Sequence, residues 1–319
     1  MASLAVISQQ TQAVVKSQDQ LQGWIEAFLS GLDVRASSSA TYGRQLKQWK
    51  AWLEETGRIE NMGTLTREDI LAYKRHLQAK GMASYSVSGY LTAVKQWYTW
   101  LEGEKLYPNI AKDIKGQKRP KGYAKDTLSE QQLQKALAQI DRSSLEGLRD
   151  YAIFNLMART GLRDIEISRA KIGDIRSEAG QPILYIQGKG RDQADEFVLL
   201  MPEALQPIKD WQKARAKSMG KAQDEEPLFC SLSLRNYGQA LSTRSISRLI
   251  KQALLEIGLD DKRITAHSLR HTAITLAVKG GASLHQAQAM ARHSSPTTTM
   301  IYFHNLARIS QGAERCISF

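Results

Sequence analysis

Cysteine is nearly missing from this chain: Cys230 and Cys316 are the two among 319 residues. No disulfide framework can be built from them, and both fit free thiols in a reducing cytosol. Long apolar runs are also missing, and none reaches the roughly 20 residues that span a bilayer, so no membrane partner is expected. The opening Met-Ala-Ser-Leu-Ala-Val-Ile-Ser has neither a basic segment nor a long apolar one behind it. Export is therefore not expected, and the reading is a cytoplasmic protein. No internal repeat and no low-complexity block occurs. Acid is in short supply: 32 Asp and Glu stand against 44 Lys and Arg, a net charge of +12. That balance suits a protein that meets polyanions.

The length predicts two domains. Residues 1–20, rich in Gln, Ser and Val, read as a mobile lead-in. Residues 21–111 carry helical periodicity. Tyr42, Leu46, Trp49 and Leu53 recur at steps of three and four within Ser38–Glu55, and Val87, Tyr90, Leu91, Val94, Trp97, Tyr98 and Leu101 mark another face from Ser84 on. Thr66-Arg-Glu-Asp69 predicts a helix start and Gly81 a stop. About four helices are expected. Residues 112–126 form a basic linker with Lys112, Lys115, Lys118, Arg119, Lys121 and Lys125, while Gly116, Pro120 and Gly122 discourage a helix. It is either a solvated tether or a strand of phosphate contacts, with Lys115, Lys118, Arg119 and Lys121 as the candidates. Positions 1–125 hold 18 basic and 11 acidic residues, a local +7. Residues 127–319 form the second domain, with Ser129 opening a helix, a helix over Leu145–Arg159 stopped by Gly161, and an amphipathic helix over Ser245–Ile257. Further helices are expected to start near His267 and Ser283. Two strand-like runs, Ile183–Gln187 and Glu196–Leu200, are joined through Gly188-Lys-Gly-Arg-Asp192.

Four segments concentrate chemistry: Gly161-Leu-Arg-Asp-Ile-Glu166, Gly188-Lys-Gly190, His267-Ser-Leu-Arg-His271, and Ala291-Arg-His-Ser-Ser-Pro-Thr-Thr-Thr-Met-Ile-Tyr302. Taken singly, each has an ordinary explanation. Arg163 resembles a surface arginine paired with Glu166 one turn on, Lys189 an exposed hairpin lysine, and Tyr302 a packing residue. Together they suit the attack of a phenol on a phosphodiester. Arginines neutralise a pentavalent phosphorane, a lysine and a histidine move protons, and a tyrosine holds the broken strand. His267 and His271 are also spaced like zinc ligands on a helix, but the Glu that would accompany them is Ser268, and His285 or His293 would have to supply a third ligand. No metal or cofactor is expected. For His271 the preferred reading is a buried, hydrogen-bonded histidine.

In residue type, order and spacing these segments resemble the signature of the tyrosine recombinases, the integrase family of DNA strand-exchange enzymes. The motifs cover roughly residues 127–305, and the helical pattern extends the likeness to the N-terminal third. The resemblance implies a mainly α fold with a small antiparallel sheet: a helical, SAM-like core-binding domain and a mixed α+β catalytic domain, closing on DNA as a C-shaped clamp. It implies the catalytic set Arg163, Lys189, His267, Arg270, His293 and Tyr302. Arg163 and Arg270 bind the scissile phosphate, Glu166 supports them, His267 takes part in proton transfer, and Lys189 protonates the departing 5′ oxygen. Tyr302 forms a 3′-phosphotyrosine. The implied partners are double-stranded DNA bearing a recombination site, a homo-tetramer passing through a Holliday junction, and accessory or directionality proteins. The family usually carries Gly directly before the His of the last motif, where this chain has Arg292. The alternatives are a type IB topoisomerase with the same phosphotyrosine chemistry, and a catalytically silent DNA-binding protein on the same scaffold.

Overall fold

Apolar periodicity sorts the chain into two compact units, Met1–Gly122 and Tyr123–Phe319, each with its own core. The computed structural model describes residues 18–118, 126–188, 190–310 and 312–317.

In the first unit α1 spans Gln18–Ser30, α2 Ala36–Glu55, α3 Arg67–Ala79 and α4 Ser84–Gly103. The first three residues of α1 thus fall within the expected lead-in. Local chemistry sets the ends. The Thr66 amide donates to Asp69 Oδ2 at 2.8 Å, which satisfies a donor that the first turn of α3 leaves open. The chain leaves α3 through Gly81 at φ +70°. The stripe Leu46, Trp49 and Leu53 on α2 meets Tyr73 on α3 and Leu91, Val94, Trp97 and Tyr98 on α4. Aromatic rings dominate this core, with Trp49 against Tyr73 at 4.8 Å edge-on. Beyond α4 the chain stays fastened to the same unit. Ile114 is buried, Lys95 Nζ donates to its carbonyl at 3.1 Å, and Lys74 Nζ donates to the carbonyl of Lys115 at 2.8 Å. The expected linker is therefore anchored over its first residues, because an apolar side chain and two lysines hold it. Lys115 and Lys118 are exposed. Arg119 and Lys121 lie outside the described residues.

In the second unit α5 spans Glu130–Gln139, α6 Leu145–Thr160, α7 Asp164–Arg169, α8 Pro202–Met219, α9 Thr243–Leu255, α10 Ala266–Lys279, α11 Leu284–Ala291 and α12 Pro296–Ser310. Ser129, Ser144, Ser242 and Ser283 cap their helices through side-chain oxygens that accept backbone amides. Strands β1 (Ile175–Glu178), β2 (Gln181–Ile186) and β3 (Glu196–Leu199) form an antiparallel sheet in that order, with Ile183 opposite Leu199 and Leu184 opposite Val198. Strand β1 escapes the sequence reading because it is largely exposed and lacks apolar alternation. It turns into β2 through Ala179 and Gly180, both at positive φ. The connection from β2 to β3 covers residues 187–195, one residue more than the two expected runs leave between them. Helices α8 and α12 were not foreseen: Pro207 sits inside α8, and three threonines stand in the first turn of α12. Among the described residues no helix is long and apolar enough to cross a membrane.

Candidate active site

The site begins where α6 ends. Gly161 takes a left-handed conformation, φ +63°, that closes the helix, and the chain restarts two residues later with Arg163 as the residue that precedes α7. Glu166, in the first turn of α7, folds back on that residue. Its Oε2 accepts the Arg163 amide at 2.8 Å and its Oε1 accepts Arg163 Nη1 at 2.7 Å. The Glu166 side chain is fully buried, while Arg163 keeps 27% of its side-chain surface. The fork of the arginine thus stays partly open to a ligand.

Helix α10 supplies the next groups. Arg270 is buried, and its Nη1 donates to the Gly161 carbonyl at 2.6 Å while Nη2 donates to the Ala291 carbonyl. These bonds tie the end of α6 to the end of α11. Burial, followed by the neighbouring guanidiniums of Arg163 and Arg292, pushes the Arg270 pKa down from the usual arginine range. His267, one turn earlier on the same helix, is exposed. A cavity of about 150 Å³ is lined by Arg163, His267 and Arg270 together with Ser247 and Thr265. A larger cavity of about 970 Å³ in the same unit, near Glu146, Arg149 and Arg248, touches none of the predicted site residues.

Helix α12 carries Tyr302, which is buried against Ile274 and Ala291. Its hydroxyl lies 2.5 Å from His271 Nδ1. Burial, then His267 and Arg270, push His271 down to about 4. At neutral pH the imidazole is therefore uncharged, and its Nδ1 shares a hydrogen bond with the phenol whose direction follows the ring tautomer. His293 stacks on Tyr302 with ring centroids 6.4 Å apart, and its Nδ1 lies 2.9 Å from Thr299 Oγ1. Burial, then Arg270 and Arg163, bring it also to about 4.

Five of the six predicted residues, Arg163, His267, Arg270, His293 and Tyr302, thus belong to one constellation formed by the end of α6, the start of α10, the turn after α11 and the middle of α12. Lys189 lies outside the described residues. Its neighbour Arg191, the competing basic residue of that loop, is paired with Asp195 and Glu196. Among the described residues no group of three or more His, Cys, Asp or Glu side chains is placed to hold a metal ion.

Two contributors were missed by the sequence reading. His271 is hydrogen-bonded as expected, but its partner is the predicted nucleophile, a pairing across 31 positions with no local signature. Arg292 was visible only as a departure from the family pattern. The turn forms with Arg292 at φ +52°, a left-handed conformation that costs a non-glycine residue about 1–3 kcal/mol. Its side chain enters the site, where Nη2 donates to Glu166 Oε2 at 2.8 Å and Nη1 to the Met290 carbonyl at 2.6 Å. Burial alone would raise the Glu166 pKa, but Arg292 and then Arg163 outweigh it and hold the carboxyl below its usual range.

Residues 126–308 match the model of the phage integrase family, and residues 21–105 match the phage integrase N-terminal SAM-like domain. A tyrosine recombinase of Synechococcus elongatus is 30% identical over 310 residues, covering 94% of this chain and 93% of the relative. The tyrosine recombinase XerD of Listeria monocytogenes is 28% identical over 286 residues, covering 88% and 93%. In fold, the chain is similar to the XerH site-specific recombinase bound to its difH substrate before cleavage, with a TM-score of 0.74, 19% identity, and coverage of 94% of this chain and 97% of that one. A lambda integrase tetramer bound to a Holliday junction has a TM-score of 0.69 at 17% identity, covering 93% and 80%.

Proposed function

This chain belongs to the phage integrase family and is a tyrosine-type site-specific DNA recombinase, and we propose that Tyr302 is its nucleophile and that Arg163 and Arg270 hold the scissile phosphate. In this reading the Tyr302 oxygen attacks phosphorus, the phenol proton passes to an acceptor, and the bond to the 5′ oxygen breaks. A 3′-phosphotyrosine and a free 5′-hydroxyl result. A 5′-hydroxyl of the partner strand then attacks the phosphotyrosine, restoring the phosphodiester and the phenol. The bond energy is conserved, so no nucleotide cofactor is required.

The observation that carries the reading is the convergence of Arg163, His267 and Arg270 on one small cavity, beside a tyrosine already hydrogen-bonded to a neutral imidazole. Guanidinium forks suit the two non-bridging phosphate oxygens, and charge held in place before the reaction stabilises the phosphorane most. A tyrosine has an ordinary pKa near 10 and needs an acceptor to attack at neutral pH. His271 is the hydrogen-bond partner of the phenol in the resting site, and the positive charge of Arg163 and Arg270 favours the phenolate, while His267 and His293 complete the proton-handling set. Lys189 is assigned the protonation of the leaving 5′ oxygen on the family resemblance. The partners belong to the same proposal: duplex DNA bearing a recombination site, a homo-tetramer assembled on it, and accessory proteins that set direction. Solved relatives bound to DNA, one of them a tetramer on a Holliday junction, support that part.

The test is covalent capture. DNA attached to the wild-type protein is recovered and sequenced, and the recovered site is rebuilt as a nicked duplex whose cleavage cannot reverse. Tyr302→Phe abolishes capture and leaves binding of that duplex intact, because the phenol oxygen makes the bond and adds little contact area. A covalent band formed by Tyr302→Phe would place the nucleophile elsewhere. Relaxation of supercoiled DNA of any sequence, without joint products, would favour the topoisomerase reading.

A further inference from the structure

Arg292 is the group in the site that this reading leaves without a task. It occupies a backbone conformation that suits glycine, at φ +52°. Its side chain is only 4% exposed. It pairs with a carboxylate 126 positions away in sequence, and it also approaches the Gly161 carbonyl, at 3.4 Å. Such a placement combines an unfavourable backbone with a desolvated charge, and it is retained where surrounding structure requires that charge.

The charges explain what it does. Glu166 has two oxygens, and two arginines divide them: Arg163 Nη1 on Oε1, Arg292 Nη2 on Oε2. Without Arg292, the buried carboxylate would keep Arg163 as its one guanidinium partner and offset more of that arginine's charge. A guanidinium so paired presents less positive potential to a phosphate. With Arg292 present, the carboxylate is shared, and Arg163, Arg270 and Arg292 together outnumber Glu166 by two charges. The other acid whose charge acts on Arg292 is Glu196, from β3.

We propose that Arg292 is a positioning residue for strand cleavage: it takes up the charge of Glu166 so that Arg163 keeps its guanidinium available to the scissile phosphate. The proposal rests on the reading of Arg163 as a phosphate ligand. Arg292 itself need not touch DNA, since its contacts run to Glu166 and to the carbonyls of Gly161 and Met290. The carbonyl contacts alone would give Arg292 a purely structural role, and the experiment separates the two.

The variants are Arg292→Gly and Arg292→Lys, each with and without Glu166→Gln, assayed as single-turnover cleavage of the nicked duplex with DNA affinity measured alongside. Glycine is the residue best suited to φ +52°. Arg292→Gly lowers the cleavage rate by about tenfold or more, the scale of removing one charge-assisted hydrogen bond from the transition state, with affinity nearly unchanged. Arg292→Lys slows cleavage less, because a charge remains. Glu166→Gln in the Arg292→Gly background recovers several-fold of the rate, since the carboxylate charge that captures Arg163 is gone. Were Arg292→Gly to fail to fold, the Arg292→Lys pair with and without Glu166→Gln would carry the same sign test. Wild-type cleavage by Arg292→Gly overturns the proposal, and so does a slowing that Glu166→Gln deepens or leaves unchanged. Tyr302→Phe runs in the same assay: capture by that variant overturns the nucleophile assignment, whereas its failure beside an active Arg292→Gly overturns only the role of Arg292.

Discussion

The two units bury different chemistry. Among the described residues the first unit buries one polar side chain, Ser88, around a core built from Trp49, Trp97, Tyr73 and Tyr98. The second buries Arg149, Glu166, Arg215 and Arg270 along with several hydroxyls and Asn155. Aromatic burial is non-directional and tolerates shifts of register. Buried charge is tolerated only with partners in fixed geometry, so Glu166 and Arg270 constrain the second unit through the same contacts that join the candidate site.

The contrast breaks most sharply under core truncation. Trp49→Ala removes about 3–5 kcal/mol from the first unit and should leave the second folded. Five of the six tryptophans lie in the first unit and Trp211 alone in the second, so fluorescence unfolding follows mainly the first. A matching drop of hydrogen-exchange protection in α10 would mean that the units unfold together.

Next in size come the arginines. Arg163→Ala and Arg270→Ala each slow cleavage by roughly a hundredfold or more, the usual result of removing a stabiliser of transition-state charge. Arg270→Ala should also destabilise the second unit, because it releases the carbonyls of Gly161 and Ala291. Arg163→Ala should destabilise it less, because Arg292 still compensates the buried Glu166 carboxylate. Equal destabilisation by the two variants would contradict that division. Chelators should leave cleavage unchanged, whereas inhibition restored by zinc would revive a metal role for the histidines.

Acid sharpens the same difference. His271 and His293 titrate near 4 in the folded protein, below the unfolded value of about 6.5. Between those values the unfolded chain binds more protons, so stability is intact above pH 6.5 and is lost as pH falls toward 4. Glu166, also depressed, acts in the same direction at lower pH. Hydrogen exchange in α10 and α12 across pH 7 to 4 reads this directly, and a flat profile would show that the imidazoles are not held neutral by the fold.

The smallest effect belongs to the basic stretch that follows α4. Replacing Lys115, Lys118, Arg119 and Lys121 with Gln should weaken matched and unrelated DNA alike. It should also flatten the plot of log affinity against log salt by about 0.9 for each phosphate interaction removed. An unchanged slope would leave the stretch as a solvated tether and pass the +7 of residues 1–125 to the helices.

Much of this was legible in the chain. The helices α2, α4, α6 and α9 follow apolar stripes, and Thr66, Ser129, Gly161 and Ser283 mark helix ends, because periodicity and capping are contacts between near neighbours. The types and order of the reactive side chains were equally plain, from Gly161-Leu-Arg163 to Tyr302. Strand β1 and helix α12 were not, since exposed charge and a run of threonines give no local signal for what tertiary packing imposes. Nor did the sequence tell that His271 meets the Tyr302 hydroxyl, or that Arg292 reaches Glu166 and replaces a flexible turn residue with a charge. Those pairings join positions 31 and 126 residues apart. Their energy depends on burial and on distances of a few ångströms, and the folded chain alone sets both.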